Sequence, residues 1–394
     1  MSGVHSRFAT IRLRFARVAG AAGPYVGLCH KAPPLTAPLD LPPSYARTVL
    51  VTGGCGYIGS HVAAALLAHT PWEVCLVDSL ANSSADVREA IVEACAALVP
   101  NADERLSLLV ADLREPGALD PAPHAEAIVH MAALKSVPAS VADPVSYYDN
   151  NVRGLVNVLS WAQGTGCRAV VYSSSCSVYG DVAPQPGTHR SVVTEATPMG
   201  TPLSPYAHTK QLNESVLRLH PGARRMILRY FNPVGAHVSG LLGDRPDGSS
   251  VSSLAAALCQ AASAGTAFTI HGDDYATRDG TCVRDYVHVC DIAEAHVEAL
   301  RWAMRKAEGP ALDIVNLGSA RGHTVSEAVE AFEAATGERL DVRVGPRRAG
   351  DIAAIENGSA KAERVLGWRA ERSLNDMMAS AWEWYVGEGV GARV

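Results

Sequence analysis

The chain has 394 residues, 48% hydrophobic and 19% charged, with 34 lysines and arginines against 40 acids and a net charge of -6. That length and apolar content fill a large core and divide into about two domains; without a long Lys/Arg block there is no electrostatic footprint for nucleic acid, and no apolar run approaches the about eighteen residues of a membrane-spanning helix. The nine cysteines, scattered from Cys29 to Cys290 without a Cys-x-x-Cys pair or a nearby His-x-x-x-His, argue against a zinc site or a disulfide framework and for a reducing, cytoplasmic compartment.

Residues 1–46 stand apart. They carry Arg7, Arg12, Arg14, Arg17 and Lys31 against one acid, Asp40, and turn proline-rich at "APPLTAPLDLPP". Phe8, Ile11, Phe15 and Val18 recur at helical spacing among the arginines, as in an organelle-targeting presequence; a disordered extension is the plainer alternative, and either lies outside the fold.

From Arg47 a regular alternation begins. "TVLVTGGCGYIGSHVAAALLAH" reads as a strand, a glycine-rich turn and a helix, and "WEVCLVDSL" as a second strand ending in Asp78. "LSLLVADL" and "AIVHMAAL" follow as strands, then the helix "VRGLVNVLSWAQGTG", the strand "AVVYSSS", a helix from Tyr206 into "LNESVLRLH", and the strand "RMILRYFN". Strands alternating with helices predict an α/β fold with a Rossmann-type, doubly wound parallel sheet over residues 47–232. Beyond Asn232 the rhythm loosens into glycine-rich loops and the helices "SSLAAALCQAASAG", "VCDIAEAHVEALRWAMRKA" and "SEAVEAFEAATG", which predicts a smaller mixed α/β substrate domain over 233–394.

In "TGGCGYIG", Gly53, Gly56 and Gly59 join the first strand to its helix, where backbone amides can meet a pyrophosphate without Cβ interference; plain tight packing would use the same glycines. Asp78, 25 residues past Gly53, stands where a carboxylate accepts adenosine ribose hydroxyls and repels a 2′-phosphate, which favours NAD over NADP; capping a turn is the alternative. Asp112, ending "LLVAD", is a further candidate at the adenine.

The strand "AVVY" runs into "SSSCSVYG", although serines compete with a sheet for backbone hydrogen bonds. In "SPYAHTK", Tyr206 and Lys210 are four apart at the start of a helix and share a face. A neighbouring ammonium and a cationic nicotinamide ring would both favour the Tyr206 phenolate, so Tyr206 is the candidate base and Ser175 the group that holds the substrate hydroxyl. Ligands of an open parallel sheet sit at its carboxyl edge, where this strand ends.

The motifs "VLVTGGCGYIGSH", "YYDNNVRG", "SSSCSVYGD", "SPYAHTK", "LRYFNPVGAHVSG", "DGTCVRDYVHV", "NLGS" and "PRRAGD" occur in the order found in the UDP-glucose 4-epimerase family of the extended short-chain dehydrogenase/reductase superfamily, and the chain from about Arg47 onward resembles that family. The resemblance implies catalytic Ser175, Tyr206 and Lys210. It implies NAD contacts from the glycine turn with Tyr57 and Ile58, from Asp78, Ser79, Leu80, Ala81, Asn82 and Ser83, from Asp112 and Leu113, from Met131, Ala132, Ala133, Leu134 and Lys135, and from Asn150 and Phe231. On the UDP-sugar side it points to Lys135, Asn232, Arg284, Arg348 and Asp351, the two arginines suiting a pyrophosphate unless they form surface salt bridges. The implied activity interconverts UDP-glucose and UDP-galactose by transient oxidation at carbon 4 with tightly bound NAD, in a homodimer, with no metal.

The sequence also departs from that family. "MAALK" stands where Phe-Ala-Gly-Leu-Lys is usual; Ser252, Ser253 and Leu254 where Asn-Asn-Leu meets the nucleotide; His271 where an aromatic precedes "GDDY"; and Ile355 where a tyrosine follows Asp351. The stretch between Tyr179 and Tyr206 is longer than usual and reads as a surface insertion. These departures leave open a UDP-N-acetylglucosamine or UDP-pentose substrate. A nucleotide-sugar dehydratase or decarboxylase would share the cofactor site, but dehydratases carry an Asp-Glu pair where this chain has Cys176 and Ser177. A non-catalytic NAD-binding regulator would typically lack the tyrosine or lysine that this chain keeps.

Overall fold

The computed structural model describes residues 47–244, 253–305, 311–348 and 350–389. The expectations for the 1–46 extension and for Ser252 lie outside them.

The strands, in chain order, are β1 (Thr48–Thr52), β2 (Glu73–Asp78), β3 (Leu106–Val110), β4 (Ala127–His130), β5 (Ala169–Ser175), β6 (Val192–Val193), β7 (Arg224–Tyr230), β8 (Asn232–Val234), β9 (Phe268–His271), β10 (Val283–His288), β11 (Leu312–Leu317), β12 (Gly322–Thr324), β13 (Val342–Gly345) and β14 (Ala354–Asn357). Seven of them form one sheet in the order β11-β7-β5-β4-β1-β2-β3, every pair parallel. Val49, Leu50 and Val51 of β1, Ile128 and Val129 of β4 and Val170 and Val171 of β5 are fully buried, as strands covered on both faces require. The order reverses between β1 and β4, so a crevice opens at their carboxyl ends, where doubly wound sheets bind ligands.

Strand β11 comes from beyond Asn232, the boundary drawn from the sequence, and pairs with β7 along its length. The helix Val289–Met304 before it packs on the helix Tyr57–His69 and on β5. In the other direction β6 leaves the first half of the chain and pairs with β14. The remaining strands form a sheet ordered β12-β10-β14-β6, with β8 on β10, and the pair β13-β9. Their core gathers Leu258, Phe332, Met378 and Trp384. The long stretch after Tyr179 is exposed over residues 183–190 and then becomes structural: Ser191 is buried and the Arg190 guanidinium grips the buried Glu356 carboxylate at 2.9 Å. Among the described residues no helix is long and apolar enough to cross a membrane.

Burial has an acid-stability consequence. It pushes His61 and His130 down to about 3, His237 and His296 down to about 4, and His288 well below the usual imidazole value, so these five stay neutral in the fold but take up protons in the unfolded chain below pH about 6.5. Their stabilisation is complete above that pH and is lost as pH falls. Asp285 and Asp291, pushed up to about 6 by burial, act in the opposite sense over the same range. Five imidazoles against two carboxyls give, from these seven groups alone, a net uptake of about three protons on unfolding, or on the order of 4 kcal/mol per pH unit between about pH 4 and 6. Urea melts at constant ionic strength should show stability dropping steeply below pH 6; a flat profile from pH 7 to 5 would contradict the buried neutral imidazoles.

Candidate active site

The site is built on the carboxyl edge of the seven-stranded sheet. Gly53, at φ +69, leaves β1, and a Cβ there would stand 2.8 Å from the Ala132 nitrogen; a Cβ on Gly59 would stand 2.1 Å from the Gly53 carbonyl oxygen. Only glycine lets this turn lie against both β4's continuation and its own helix. Gly56 is the N-cap of the helix Tyr57–His69 and has no side chain to cap with, so the first helical N–H groups have no side-chain partner from that position.

Asp78 closes the other side. Its Oδ2 accepts from the Cys55 N–H at 3.0 Å, and its Oδ1 from the Leu80 N–H at 3.0 Å and the Ser83 hydroxyl at 2.8 Å. The carboxylate therefore ties the glycine turn to the loop after β2, with Leu80 held at φ +58 and Ser79, Ala81 and Asn82 exposed around it. Three of its about four acceptor positions are used, which leaves one on Oδ2. Asp112 is differently engaged: the Arg114 guanidinium grips it at 2.6 Å and holds its carboxyl below the usual range, while Leu113 is buried in the core.

The segment from Met131 to Lys135 continues the chain from the carboxyl end of β4. Thr52 Oγ1 accepts from the Met131 and Ala132 N–H groups at 3.2 and 3.3 Å. Asn151 clamps both backbone groups of Leu134, at 2.8 and 3.0 Å, and accepts from Asn150 at 2.9 Å. Asn151 is absent from the sequence reading, although its signal was the paired asparagine of "YYDNN". Ala133 is half-buried, as are Tyr57 and Ile58; Lys135 is exposed, 3.5 Å from the Asp244 carboxylate and over the Tyr57 ring, whose hydroxyl donates to the Gly235 carbonyl at 2.6 Å.

The serines ending β5 divide their work. The Ser173 hydroxyl pairs with the Tyr230 hydroxyl, and its carbonyl accepts from Lys210 Nζ at 2.6 Å. Ser174 donates to the buried Glu214 carboxylate at 2.6 Å, which in turn is gripped by Arg229. Ser175, half-buried at the strand end, accepts from the Ser177 N–H at 3.1 Å, and its hydroxyl opposes the rise that burial imposes on the Tyr206 phenol. The helix Pro205–Leu219 starts where it does because Ser204 caps it, accepting from the Ala207 N–H at 3.2 Å with Pro205 in the first turn. One turn apart on it, Lys210 Nζ stands 5.8 Å from the Tyr206 ring centre.

Burial pushes the Tyr206 phenol up to about 12 and the Lys210 ammonium down to about 8, Glu214 opposing the second shift. The sequence expectation that Lys210 favours the Tyr206 phenolate is thus outweighed, in the chain alone, by desolvation of the phenolate, and Lys210 is anchored on the Ser173 carbonyl rather than on the phenol oxygen.

Asn232 Oδ1, at the start of β8, and Ser177 Oγ, just past β5, are buried without a hydrogen-bond partner, which suits groups supplied by a ligand. Arg284 donates to the Val283 and Ile352 carbonyls at 2.9 Å and stands 3.5 Å from the Asp351 carboxylate, while Arg348 and Asp351 are exposed. Phe231 and Ile355 lie in one buried cluster with Val178, Tyr179 and Val193, so both shape the wall beside Cys176 rather than protrude from it. Ser253 caps the helix Leu254–Ala264, accepting from the Ala256 N–H at 3.2 Å, and His271 Nδ1 stands 3.3 Å from the Pro346 carbonyl oxygen.

The model of the NAD dependent epimerase/dehydratase family matches residues 49–318. Among curated proteins, the chain is 42% identical over 349 residues to UDP-glucose 4-epimerase 2 of Oryza sativa subsp. japonica, covering 87% of this chain and 82% of that one. Among solved structures it is similar to the UDP-glucose-4-epimerase of Stenotrophomonas maltophila with bound NAD and formylated UDP-arabinopyranose, at 39% identity and a TM-score of 0.77 over 86% of this chain and 97% of that one. It is likewise similar to UDP-glucose 4-epimerase of Bifidobacterium longum in complex with NAD+ and UDP, at 35% identity and a TM-score of 0.77 over 86% and 98% of the two chains.

Proposed function

The chain belongs to the NAD dependent epimerase/dehydratase family, and on that footing we propose that it interconverts UDP-glucose and UDP-galactose at carbon 4 with tightly bound NAD. The carrying observation is the Ser175, Tyr206 and Lys210 constellation set beside the Gly53–Gly59 cradle at the sheet's switch point. The cradle, which a Cβ would fill, and the Asp78 carboxylate fit a dinucleotide. When bound, NAD supplies the redox chemistry by accepting and returning one hydride.

The chain's own residues hold the sugar and move the proton. Tyr206 takes the proton of the 4-hydroxyl while Ser175 hydrogen-bonds the same oxygen. Lys210, fixed by the Ser173 carbonyl beneath the phenol, supplies the positive charge that favours the phenolate. Inversion requires the hexose to present both faces, so binding resides in the UDP part, a reading that the unpartnered Asn232 Oδ1 and the charge of the Arg284 and Arg348 guanidiniums support. Water elimination, the dehydratase reaction, lacks an acid-base pair here: burial pushes the Cys176 thiol up to about 12, and Ser177 is a hydroxyl. His271 and Ile355 keep UDP-N-acetylglucosamine and UDP-pentoses as further candidate substrates. We also propose a homodimer in the reducing cytoplasm; exposed Val141 and Val145 add apolar surface that supports a partner.

Purified protein incubated with UDP-galactose, without added NAD, should form UDP-glucose; no conversion even with added NAD would overturn the reading. The cofactor choice has its own readout. NAD should raise the melting temperature of the apoprotein more than NADP does, and Asp78→Ala should narrow that difference while loosening NAD, because the charge that opposes a 2′-phosphate is gone. Equal stabilisation of the wild type by both cofactors would count against Asp78 at the ribose.

A further inference from the structure

At the opposite, amino-terminal edge of the seven-stranded sheet lies a cavity of about 500 Å³ that the epimerase reading does not use. Its wall is formed where three helices end: the turn after Gly154–Thr165, the turn between Pro205–Leu219 and β7, and the last residues of Val289–Met304. Arg168, Arg224, Arg305 and His220 line it, and among the described residues no acidic side chain does.

The arginines differ in how far they are committed. Arg224 stacks on the Trp302 ring at 4.4 Å and donates from NH1 to the Arg305 carbonyl at 2.8 Å, yet its Nε is buried without a partner. Arg168 stands 3.6 Å from Glu126, a carboxylate also shared with Arg47, and Arg168 itself is exposed, so that pairing is loose. Arg305 is exposed at the cavity rim. The helix ends oppose an anion, each with about half a negative charge that fades within one turn. Arg225, behind the wall, already donates to the Leu217 carbonyl at 3.0 Å and to the His220 carbonyl at the end of one of these helices. Three full guanidinium charges at the cavity outweigh what remains.

We propose that this cavity binds a phosphorylated small molecule, its phosphoryl oxygens held by Arg168, Arg224 and Arg305. The planar forks of guanidinium suit phosphoryl oxygens, and the volume is that of a small-molecule site. The non-phosphate part would lie on the apolar wall of Ala162, Ala223 and Met304.

The test uses full-length protein saturated with NAD and UDP, so that a phosphate site at the active centre is already filled, with inorganic pyrophosphate as probe and citrate and sodium chloride at matched ionic strength as controls. Isothermal titration should give saturable pyrophosphate binding, stronger than citrate and absent with chloride. Arg168→Gln/Arg305→Gln should weaken it at least about tenfold, as loss of two charge-assisted contacts implies. Gln163→Glu, which places an acid at the exposed rim without touching the arginines, should weaken it too, and UDP-galactose turnover should stay as in wild type in both variants. Undiminished pyrophosphate affinity in both variants, equal binding of citrate, or no saturable binding would each overturn the proposal.

Discussion

Tyr206→Phe is expected to lower turnover of UDP-galactose by at least about a hundredfold, and Lys210→Met by a comparable factor, the usual scale for removing a general base. The two losses have different origins. Phenylalanine keeps the ring in its half-buried seat beside Ser175 and removes only the oxygen that takes the proton. Methionine keeps the packing of the Lys210 stem but removes the charge anchored on the Ser173 carbonyl. Burial is the largest cause that holds the phenol up at about 12 even with Lys210 in place, so removing that ammonium leaves still less phenolate at neutral pH. Lys210→Met should therefore recover part of its turnover as pH rises, whereas Tyr206→Phe should not. Stopped assays of UDP-glucose formation from pH 6 to 10 separate the two. Retention of most of the wild-type rate by Tyr206→Phe would refute the assignment of the base.

What was legible in the sequence follows from what sequence encodes locally. The strand "AVVYSSS" is β5 residue for residue, and the glycine turn, Asp78 and the Tyr206–Lys210 pair sit at one edge, because apolar runs, glycine spacing and a four-residue helical interval are short-range signals. β11 was not legible: Asp313 and Asn316 interrupt the apolar run of "LDIVNL", and only its pairing with β7 reveals it as a core strand. The sequence singles out Ser175 but does not say what the other serines of "SSSCSVYG" do: the Ser173 and Ser174 hydroxyls turn inward to Tyr230 and Glu214. That division depends on partners 40 residues and more along the chain, which spacing within "SSSCSVYG" does not carry. Ile355 and Phe231, candidate contacts from separate motifs, pack in one buried cluster, a proximity across 124 positions that no local spacing carries.

The same inward network gives the largest expected effect on stability. Glu214 and Arg229 are buried, 0% and 2% exposed at their side chains, and meet through two bonds of 2.9 and 2.7 Å. Arg229 lies across from Ser174 in the β5–β7 register and also donates to the Tyr179 hydroxyl at 2.9 Å, which donates to Asn316 at 2.6 Å. Arg229→Met leaves the Glu214 carboxylate in the core without its bidentate partner, with the Ser174 hydroxyl, the half-exposed Arg218 at 3.6 Å and the charge of Lys210 around it, and should cost about 3–5 kcal/mol of unfolding free energy. Most of that cost is the unpaired charge rather than the lost pair. Glu214→Gln added to Arg229→Met removes the charge but keeps an amide oxygen to accept from Ser174, so the double variant should be more stable than Arg229→Met alone. Urea melts of the three proteins decide it: a double variant less stable than the single would mean that the Glu214 carboxylate is satisfied by other groups, and that Arg229 contributes through its packing and its bond to Tyr179.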